Sequence, residues 1–159
     1  MDTEKYYVVE MSQEYANCIV QWCYDGVYSF YDHEGEDPTS YMDGTHYVCI
    51  DEYRSLIGYF CFGADARIPT VEKNVYDNDF VDIGLGLKPD LCGKGFGFFF
   101  IKLGLTFAQK YLGYQKFRLS VAAFNERAVK VYLRAGFCID REVTNARFKN
   151  KFYIMTLAI

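Results

Sequence analysis

The sequence predicts a single α/β (α+β) domain spanning residues 1–159. A chain of this length suits one domain with a sizeable core. Its composition, 51% hydrophobic and 24% charged, is that of a globular protein. Segments typical of strands alternate with segments whose apolar residues have helical spacing, and we find no linker or internal repeat between them.

The first half of the chain predicts a strand, a helix and a hairpin. KYYVVEM is rich in β-branched and aromatic residues, which favours a short strand. Ser12 is a suitable N-cap for the helix predicted in QEYANCIVQWCYDG, where apolar residues recur at helical spacing. An acidic loop follows. THYVCIDEYRSLIGYFCFG then predicts a hairpin with its turn near Glu52–Arg54.

The second half predicts four more strands and two helices. FVDIGLGL is a strand that leads through a glycine-rich turn into a helix reaching about Tyr111. That helix is apolar around most of its circumference, as expected of one lying against a sheet. KFRLSVA is the next strand, and NERAVKVYLRA is a short helix with Gly136 at its C-cap. FCIDREV and KFYIMTLAI are the last two strands, on either side of a basic turn.

The glycine-rich turn LKPDLCGKGFG is the strongest functional signal. Gly93, Gly95 and Gly97 leave bare backbone between a strand and a helix N-terminus, an arrangement that favours anion binding. A P-loop would need a glycine at Lys88 and a Ser or Thr at Gly95, and both are missing. A dinucleotide fingerprint would need G-x-G-x-x-G on an early strand, which this chain lacks.

The turn resembles the pyrophosphate-binding motif Q/R-x-x-G-x-G/A of the Gcn5-related N-acetyltransferase (GNAT) superfamily. Gly95 and Gly97 match its two small positions, whereas Cys92 stands where the family has Arg or Gln.

A second segment, NERAVKVYLRAGF, is similar to the family pattern N-x-x-A-x-x-x-Y-x-x-x-G-F. The matching residues are Asn125, Ala128, Tyr132, Gly136 and Phe137. The order of elements between the two motifs agrees as well, so the resemblance is strong over about 80–137.

The resemblance implies a central mixed, largely antiparallel sheet of about six or seven strands, flanked by helices. It implies acetyl-CoA as cosubstrate, held where two neighbouring parallel strands, 80–87 and 117–121, splay apart in the middle of the sheet. The implied cofactor-binding residues are Leu85, Gly86, Leu87, Cys92, Gly93, Lys94, Gly95, Phe96, Gly97 and Asn125.

The resemblance also implies direct attack of an amine on the thioester, with the Leu85 N–H steadying the oxyanion. Tyr132 is the expected general acid for the leaving thiolate. Asn125 is expected to orient the cofactor, to cap its helix, or both. Asp82 is the candidate general base, the alternative being a solvated carboxylate at a strand end. Strand alternation places Asp82 on one face with Gly84 and Gly86, whose bare backbone would leave room for an acceptor.

Other reactive side chains give weaker signals. His33 and His46 have no evident carboxylate partner in the sequence, and Cys92 has no histidine arrangement to support a nucleophile. The six cysteines form no close CxxC pair, so we expect reduced thiols and neither disulfides nor a metal site.

The acceptor is expected to be a small amine or a peptide N-terminus. It would meet the segment WCYDGVYSFYDHEGEDPTSY, whose aromatic residues could line a pocket and whose acids could attract a cation. Those acids are Asp32, Glu34, Glu36 and Asp37. The alternative is a solvated loop.

The net charge of −4 and the lack of a basic run argue against a nucleic-acid partner. Neither a signal peptide nor an apolar run long enough for a membrane span is evident, so a cytoplasmic location is expected. A homodimer is left open as the assembly. The competing function is a non-catalytic acyl-CoA-binding protein with the same fold, which Cys92 and the uncertain base would favour.

Overall fold

The structure, a computed structural model, describes residues 2–33 and 35–159. Its strands are β1 (Tyr6–Glu10), β2 (His46–Asp51), β3 (Leu56–Phe62), β4 (Val81–Leu87), β5 (Lys116–Ala122), β6 (Cys138–Thr144) and β7 (Lys151–Ala158). Its α-helices are α1 (Gln13–Ile19), α2 (Gly97–Phe107) and α3 (Glu126–Arg134). Short 3-10 turns span Gly26–Tyr31, Pro38–Met42 and Pro89–Leu91, among others.

The strands form a seven-stranded sheet in the order β1-β2-β3-β4-β5-β7-β6. The pair β4–β5 is parallel, whereas β1–β2, β2–β3, β5–β7 and β6–β7 are antiparallel. The predicted mixed, largely antiparallel sheet is therefore confirmed. Contacts divide the chain into two compact units, one made of Met1–Cys61 and Leu85–Phe96 and the other of Phe62–Gly84 and Gly97–Ile159.

The first unit contains β1, α1, the β2–β3 hairpin and the end of β4. The Asp51 carboxylate organises the hairpin turn, accepting hydrogen bonds from the N–H groups of Tyr53 (2.9 Å) and Ser55 (2.8 Å). Ser12 caps α1 as predicted, its hydroxyl accepting from the Tyr15 N–H at 3.2 Å. The helix ends at Ile19, earlier than predicted.

The helix α1 ends in a tightened turn. The N–H groups of Gln21 and Trp22 donate three residues back, to the carbonyls of Cys18 (3.1 Å) and Ile19 (3.0 Å), so the four-residue spacing of the α-helix stops here. The chain then continues as the loop that precedes Gly26–Tyr31.

The second unit is built around β5, which is paired with β7 over seven register positions from Lys116↔Ala158 to Ala122↔Phe152. The parallel ladder between β4 and β5 comprises only Val81↔Phe117 and Asp82↔Arg118 in the described chain. A ladder this short is what the predicted splay of these strands requires.

The helix α2 continues beyond Phe107 as a π-helical segment over Ala108–Leu112, so the predicted end near Tyr111 is close to the observed one. Gly113, with φ of 76°, closes it in the left-handed region. Among the residues that the structure describes, no helix has both the length and the apolar character needed to cross a membrane.

Candidate active site

The glycine turn begins where β4 ends. The Lys88 N–H donates to the Ile57 carbonyl at 2.9 Å, and the N–H groups of Leu91 and Cys92 donate back to Lys88 (2.9 Å) and Pro89 (3.1 Å). These bonds fix the first half of the turn. The chain then takes positive φ values at Gly93 (72°) and Gly95 (78°), conformations that glycine adopts without a steric cost.

The tip of the turn is open. Gly93, Lys94 and Gly95 are exposed, and no acceptor for their N–H groups is found within the described part of the chain. A Cβ atom on Gly95 would meet nothing within 4 Å. Exposed backbone donors directly before the N-terminus of α2 can receive phosphate oxygens, because the helix dipole adds partial positive charge there.

Two side chains at the turn point away from its open tip. The Cys92 thiol lies between the Leu87 and Lys88 carbonyls, with Sγ–O distances of 3.8 and 3.7 Å, and can donate its one hydrogen to either. Phe96 is buried and packs edge-on against Tyr6, with ring centroids 5.6 Å apart. Cys92 and Phe96 therefore help to hold the turn, and any contact of Phe96 with a cofactor would have to come from its backbone.

The end of β4 is more crowded than expected. A Cβ atom on Gly86 would lie 2.2 Å from Tyr59 Cε1, so the Tyr59 ring occupies the space beside this glycine. The expectation that Gly86 leaves room for an acceptor is wrong for this reason. The Leu87 carbonyl also accepts a hydrogen bond from the Tyr24 hydroxyl at 3.0 Å, in addition to its contact with the Cys92 thiol.

The loop after α1 forms a polar cluster with β3, which we call the His33 cluster (His33, Glu36, Tyr41 and Tyr59). His33 Nδ1 lies 2.9 Å from the Tyr41 hydroxyl and 3.1 Å from Glu36 Oε2, and Nε2 lies 3.3 Å from the Tyr59 hydroxyl. The Tyr41 hydroxyl donates a short hydrogen bond to Glu36 Oε2. His33 thus has a carboxylate partner, which the sequence analysis missed although the i, i+3 spacing was visible.

His46 has a carboxylate partner as well, since its Nδ1 lies 2.9 Å from Asp43 Oδ1. Its imidazole also packs edge-on against the Tyr41 ring, with centroids 4.9 Å apart. The expectation that both histidines stand alone is therefore wrong.

Burial changes the proton affinity of the tyrosines in this region. Desolvation raises the pKa of Tyr59 well above its ordinary value, and the neighbouring Tyr41 adds to the effect. The pKa of Tyr41 is raised by burial and by its hydrogen bond to Glu36. Burial also raises the pKa of Tyr24. All three phenols therefore stay protonated near neutral pH and act as hydroxyl donors and acceptors.

The four acids expected to attract an acceptor have different surroundings in the structure. Glu36 belongs to the His33 cluster, and Asp32 accepts from the Tyr24 N–H. Asp37 caps a 3-10 turn, and the hydrogen bond from the Thr39 N–H lowers its pKa. Glu34 lies outside the described residues.

Asp82 is not placed as a general base. It is 2% exposed and held by two arginines: Arg67 Nε donates to Oδ2 at 2.8 Å, while Arg118 donates to Oδ1 through Nε (2.7 Å) and to Oδ2 through Nη2 (2.8 Å). These bonds raise the pKa of the Arg118 guanidinium. Both oxygens of the Asp82 carboxylate are thus engaged by arginine side chains inside the protein. We correct its expected role to a structural one.

Asn125 directly precedes α3 and Tyr132 lies on this helix. The Asn125 side-chain oxygen accepts from the Ala128 N–H at 3.2 Å, so this residue is the N-cap of the helix. Tyr132 is half-buried and its ring packs edge-on against Phe137, with centroids 6.1 Å apart.

The family is decided by a match that spans most of the chain. Residues 7–137 match the profile of the Acetyltransferase (GNAT) family. The chain belongs to this family. It is therefore an N-acetyltransferase, and acetyl-CoA is its cosubstrate. No curated protein sequence matches the chain.

Solved structures agree on the fold of this GNAT protein. A chimera of spermidine N-acetyltransferase from Vibrio cholerae and hSSAT is similar over 97% of this chain and 95% of that chain, at 18% identity and a TM-score of 0.74. The Vibrio cholerae enzyme in complex with CoA and spermine is similar over 98% of this chain and 96% of that chain, at 16% identity and a TM-score of 0.73. A GNAT-family acetyltransferase from Bacillus anthracis is similar over 97% of this chain and 95% of that chain, at 12% identity and a TM-score of 0.71.

Proposed function

We propose that this GNAT protein transfers the acetyl group of acetyl-CoA to a small primary amine by direct attack on the thioester. The observation that carries the proposal is the glycine turn, where Gly93 and Gly95 take positive φ and the N–H groups of the exposed residues Gly93–Gly95 have no protein acceptor in the described chain. Such a turn suits a pyrophosphate better than it suits any internal packing role.

Binding would be shared between backbone and charge. The N–H groups of the turn would receive the pyrophosphate oxygens, and the exposed Lys94 ammonium would add a charge-assisted contact. The main chain of Leu85–Leu87 would pair with the amides of the pantetheine arm. Asn125 would contribute by holding the start of α3, since its side-chain oxygen is committed to the cap.

The chemistry needs three roles. The amine nitrogen forms a bond to the acetyl carbonyl carbon while the carbon–sulfur bond breaks. The Leu85 N–H would stabilise the oxyanion. The Tyr132 phenol would return a proton to the departing thiolate. In this reaction an ammonium and a thioester become an amide, a thiol and one released proton, so a path for that proton is also required.

The acceptor we propose is a small cationic amine. The chain has a net charge of −4, and the loop after α1 brings Glu36 together with tyrosine side chains. A carboxylate beside aromatic rings is a suitable environment for an ammonium group. Spermidine and spermine, named for the similar Vibrio cholerae enzyme, are the first amines to test.

Two measurements on the purified protein test this proposal. Acetyl-CoA and CoA should each raise the melting temperature, because they bind only the folded state, whereas NAD and ATP should raise it much less. Release of CoA thiol from acetyl-CoA should then depend on added amine. Stabilisation without amine-dependent thiol release would favour the non-catalytic acyl-CoA-binding protein. Light scattering on the same sample would test the homodimer.

A further inference from the structure

The His33 cluster contains a continuous chain of hydrogen-bonding groups that runs from β3 to the surface. The Tyr59 hydroxyl lies 3.3 Å from His33 Nε2, and His33 Nδ1 lies 3.1 Å from Glu36 Oε2. Exposure increases along the chain: the His33 side chain is 11% exposed and the Glu36 side chain 49%. The chain thus has an inner end at a hydroxyl and an outer end at a carboxylate in water.

The neighbouring Tyr41 fixes the direction of these bonds. Its single hydroxyl hydrogen is donated to Glu36 Oε2, so it has none left for His33. The 2.9 Å contact between the Tyr41 hydroxyl and His33 Nδ1 must then be donated by Nδ1. When the imidazole is neutral with its hydrogen on Nδ1, Nε2 carries the lone pair and can accept from the Tyr59 hydroxyl. In that form every donor of the chain points outward, toward Glu36.

The inner end of the chain lies beside β4. The Tyr59 ring fills the space next to Gly86, within the Leu85–Leu87 segment to which the proposed function assigns the pantetheine arm. The raised pKa of Tyr59 keeps its hydroxyl protonated. Such a hydroxyl can pass a proton on only by accepting one as it donates its own.

We propose that Tyr59, His33 and Glu36 form a relay that carries the proton of the acceptor ammonium to solvent. The relay rests on the proposed function, because amine acetylation releases one proton per turnover. The ammonium N–H bond breaks as its proton moves to the Tyr59 oxygen, and the Tyr59 proton moves to His33 Nε2. The Nδ1 proton passes to Glu36 and then to water. The amine keeps the electron pair that attacks the thioester.

The relay gives a function to residues that sequence reasoning had set aside. It also replaces Asp82, whose carboxylate is held by Arg67 and Arg118. Tyr41 is the positioning residue, since its hydroxyl donates to Glu36 and lies 2.9 Å from His33 Nδ1.

The test uses His33→Ala with two small molecules that fill the same space. Imidazole and pyrazole have nearly the same shape, but pyrazole is a far weaker base. His33→Ala should lower kcat about 10²-fold or more, in the range of general acid–base effects, and should leave the dissociation constant of acetyl-CoA unchanged. Added imidazole should raise the kcat of His33→Ala at least about tenfold, and added pyrazole should not.

If His33→Ala does not fold, two further variants test the relay. Tyr59→Phe removes the hydroxyl and keeps the ring beside Gly86, and Glu36→Gln removes the charge at similar size; both should lower kcat. Glu52→Gln is the matched control, because this exposed acid lies in the turn between β2 and β3, outside the relay and the His33 cluster, and its kcat should stay within about twofold. Circular dichroism and the acetyl-CoA dissociation constant confirm folding for each variant.

The outcomes are separable. If the wild-type protein acetylates no amine, the proposed function fails and the relay falls with it. If the wild type is active and Tyr59→Phe keeps full kcat, the relay alone is overturned. Equal rescue of His33→Ala by imidazole and pyrazole would likewise overturn it, because that result indicates a packing role for the imidazole.

Discussion

The ring of Tyr59 and the bare backbone of Gly86 fit together: a Cβ atom on residue 86 would lie 2.2 Å from Tyr59 Cε1 and 2.7 Å from Cζ. Both atoms belong to a ring rather than to the end of a flexible chain, so the ring would have to move as a whole. Gly86 is therefore a packing requirement of Tyr59.

Gly86→Ala should destabilise the fold by about 1–3 kcal/mol, the usual cost of overpacking. Denaturant unfolding measures it. In a Tyr59→Ala background the same substitution should cost much less, because the colliding ring is gone and the two sites share one contact. An equal cost in both backgrounds would contradict the fit between these two residues.

Local signals predicted most of the fold. Ser12 and Asn125 cap the two helices that their sequence neighbours indicated, because an N-cap needs only donors two or three residues away. Gly136 takes a φ of 106° just after α3, as a residue following a helix C-terminus often does. Such features depend on a few consecutive residues and can be read without knowing the tertiary structure.

The site was harder to predict because its partners are distant in sequence. Asp82 meets Arg67 and Arg118, and Tyr59 meets Gly86; strand alternation places none of these contacts. The His33–Glu36 and Asp43–His46 pairs were within reach of sequence reasoning, since the members of each pair are three residues apart. Tyr59, which also contacts His33, lies 26 residues further along the chain, and no local pattern indicates that contact.

The open tip of the glycine turn allows a matched test of cofactor binding. Gly95 and Gly113 have nearly equal φ values of 78° and 76°, and a Cβ on either would meet nothing within 4 Å. Valine at either position should cost about 1–3 kcal/mol of stability through backbone strain. Gly95→Val should in addition raise the dissociation constant of acetyl-CoA about tenfold or more.

Isothermal titration calorimetry measures that difference. Gly113→Val should bind acetyl-CoA as the wild type does, because its strain is the same and its position is outside the turn. If both variants lose affinity equally, loss of stability explains the effect, and the turn has no special role in binding.

The buried ion pairs of Asp82 predict a large loss of stability. Asp82→Asn removes the charge and leaves two arginines without their shared carboxylate, so it should cost about 3–5 kcal/mol of unfolding free energy. Asp77→Asn is the control: its side chain is 63% exposed, and its Oδ1 accepts from Arg118 at 3.2 Å and from the Asp79 N–H at 3.1 Å. That change should cost about 1 kcal/mol or less in urea unfolding. Similar costs at both positions would refute the structural role of Asp82.

Tyr132→Phe should lower kcat about 10²–10⁴-fold and leave the acetyl-CoA dissociation constant nearly unchanged. The hydroxyl is needed when the thiolate leaves, so its loss removes transition-state stabilisation and little ground-state binding. The ring contact with Phe137 is kept, so the melting temperature should change little. Stopped-flow and steady-state thiol release measure the rate. Tyr111→Phe, at a residue that is 66% exposed, is the control and should keep full activity.

A large rise in the dissociation constant of acetyl-CoA for Tyr132→Phe would make Tyr132 a binding residue. An unchanged kcat would mean that the thiolate takes its proton from water, or that proton return is not rate-limiting.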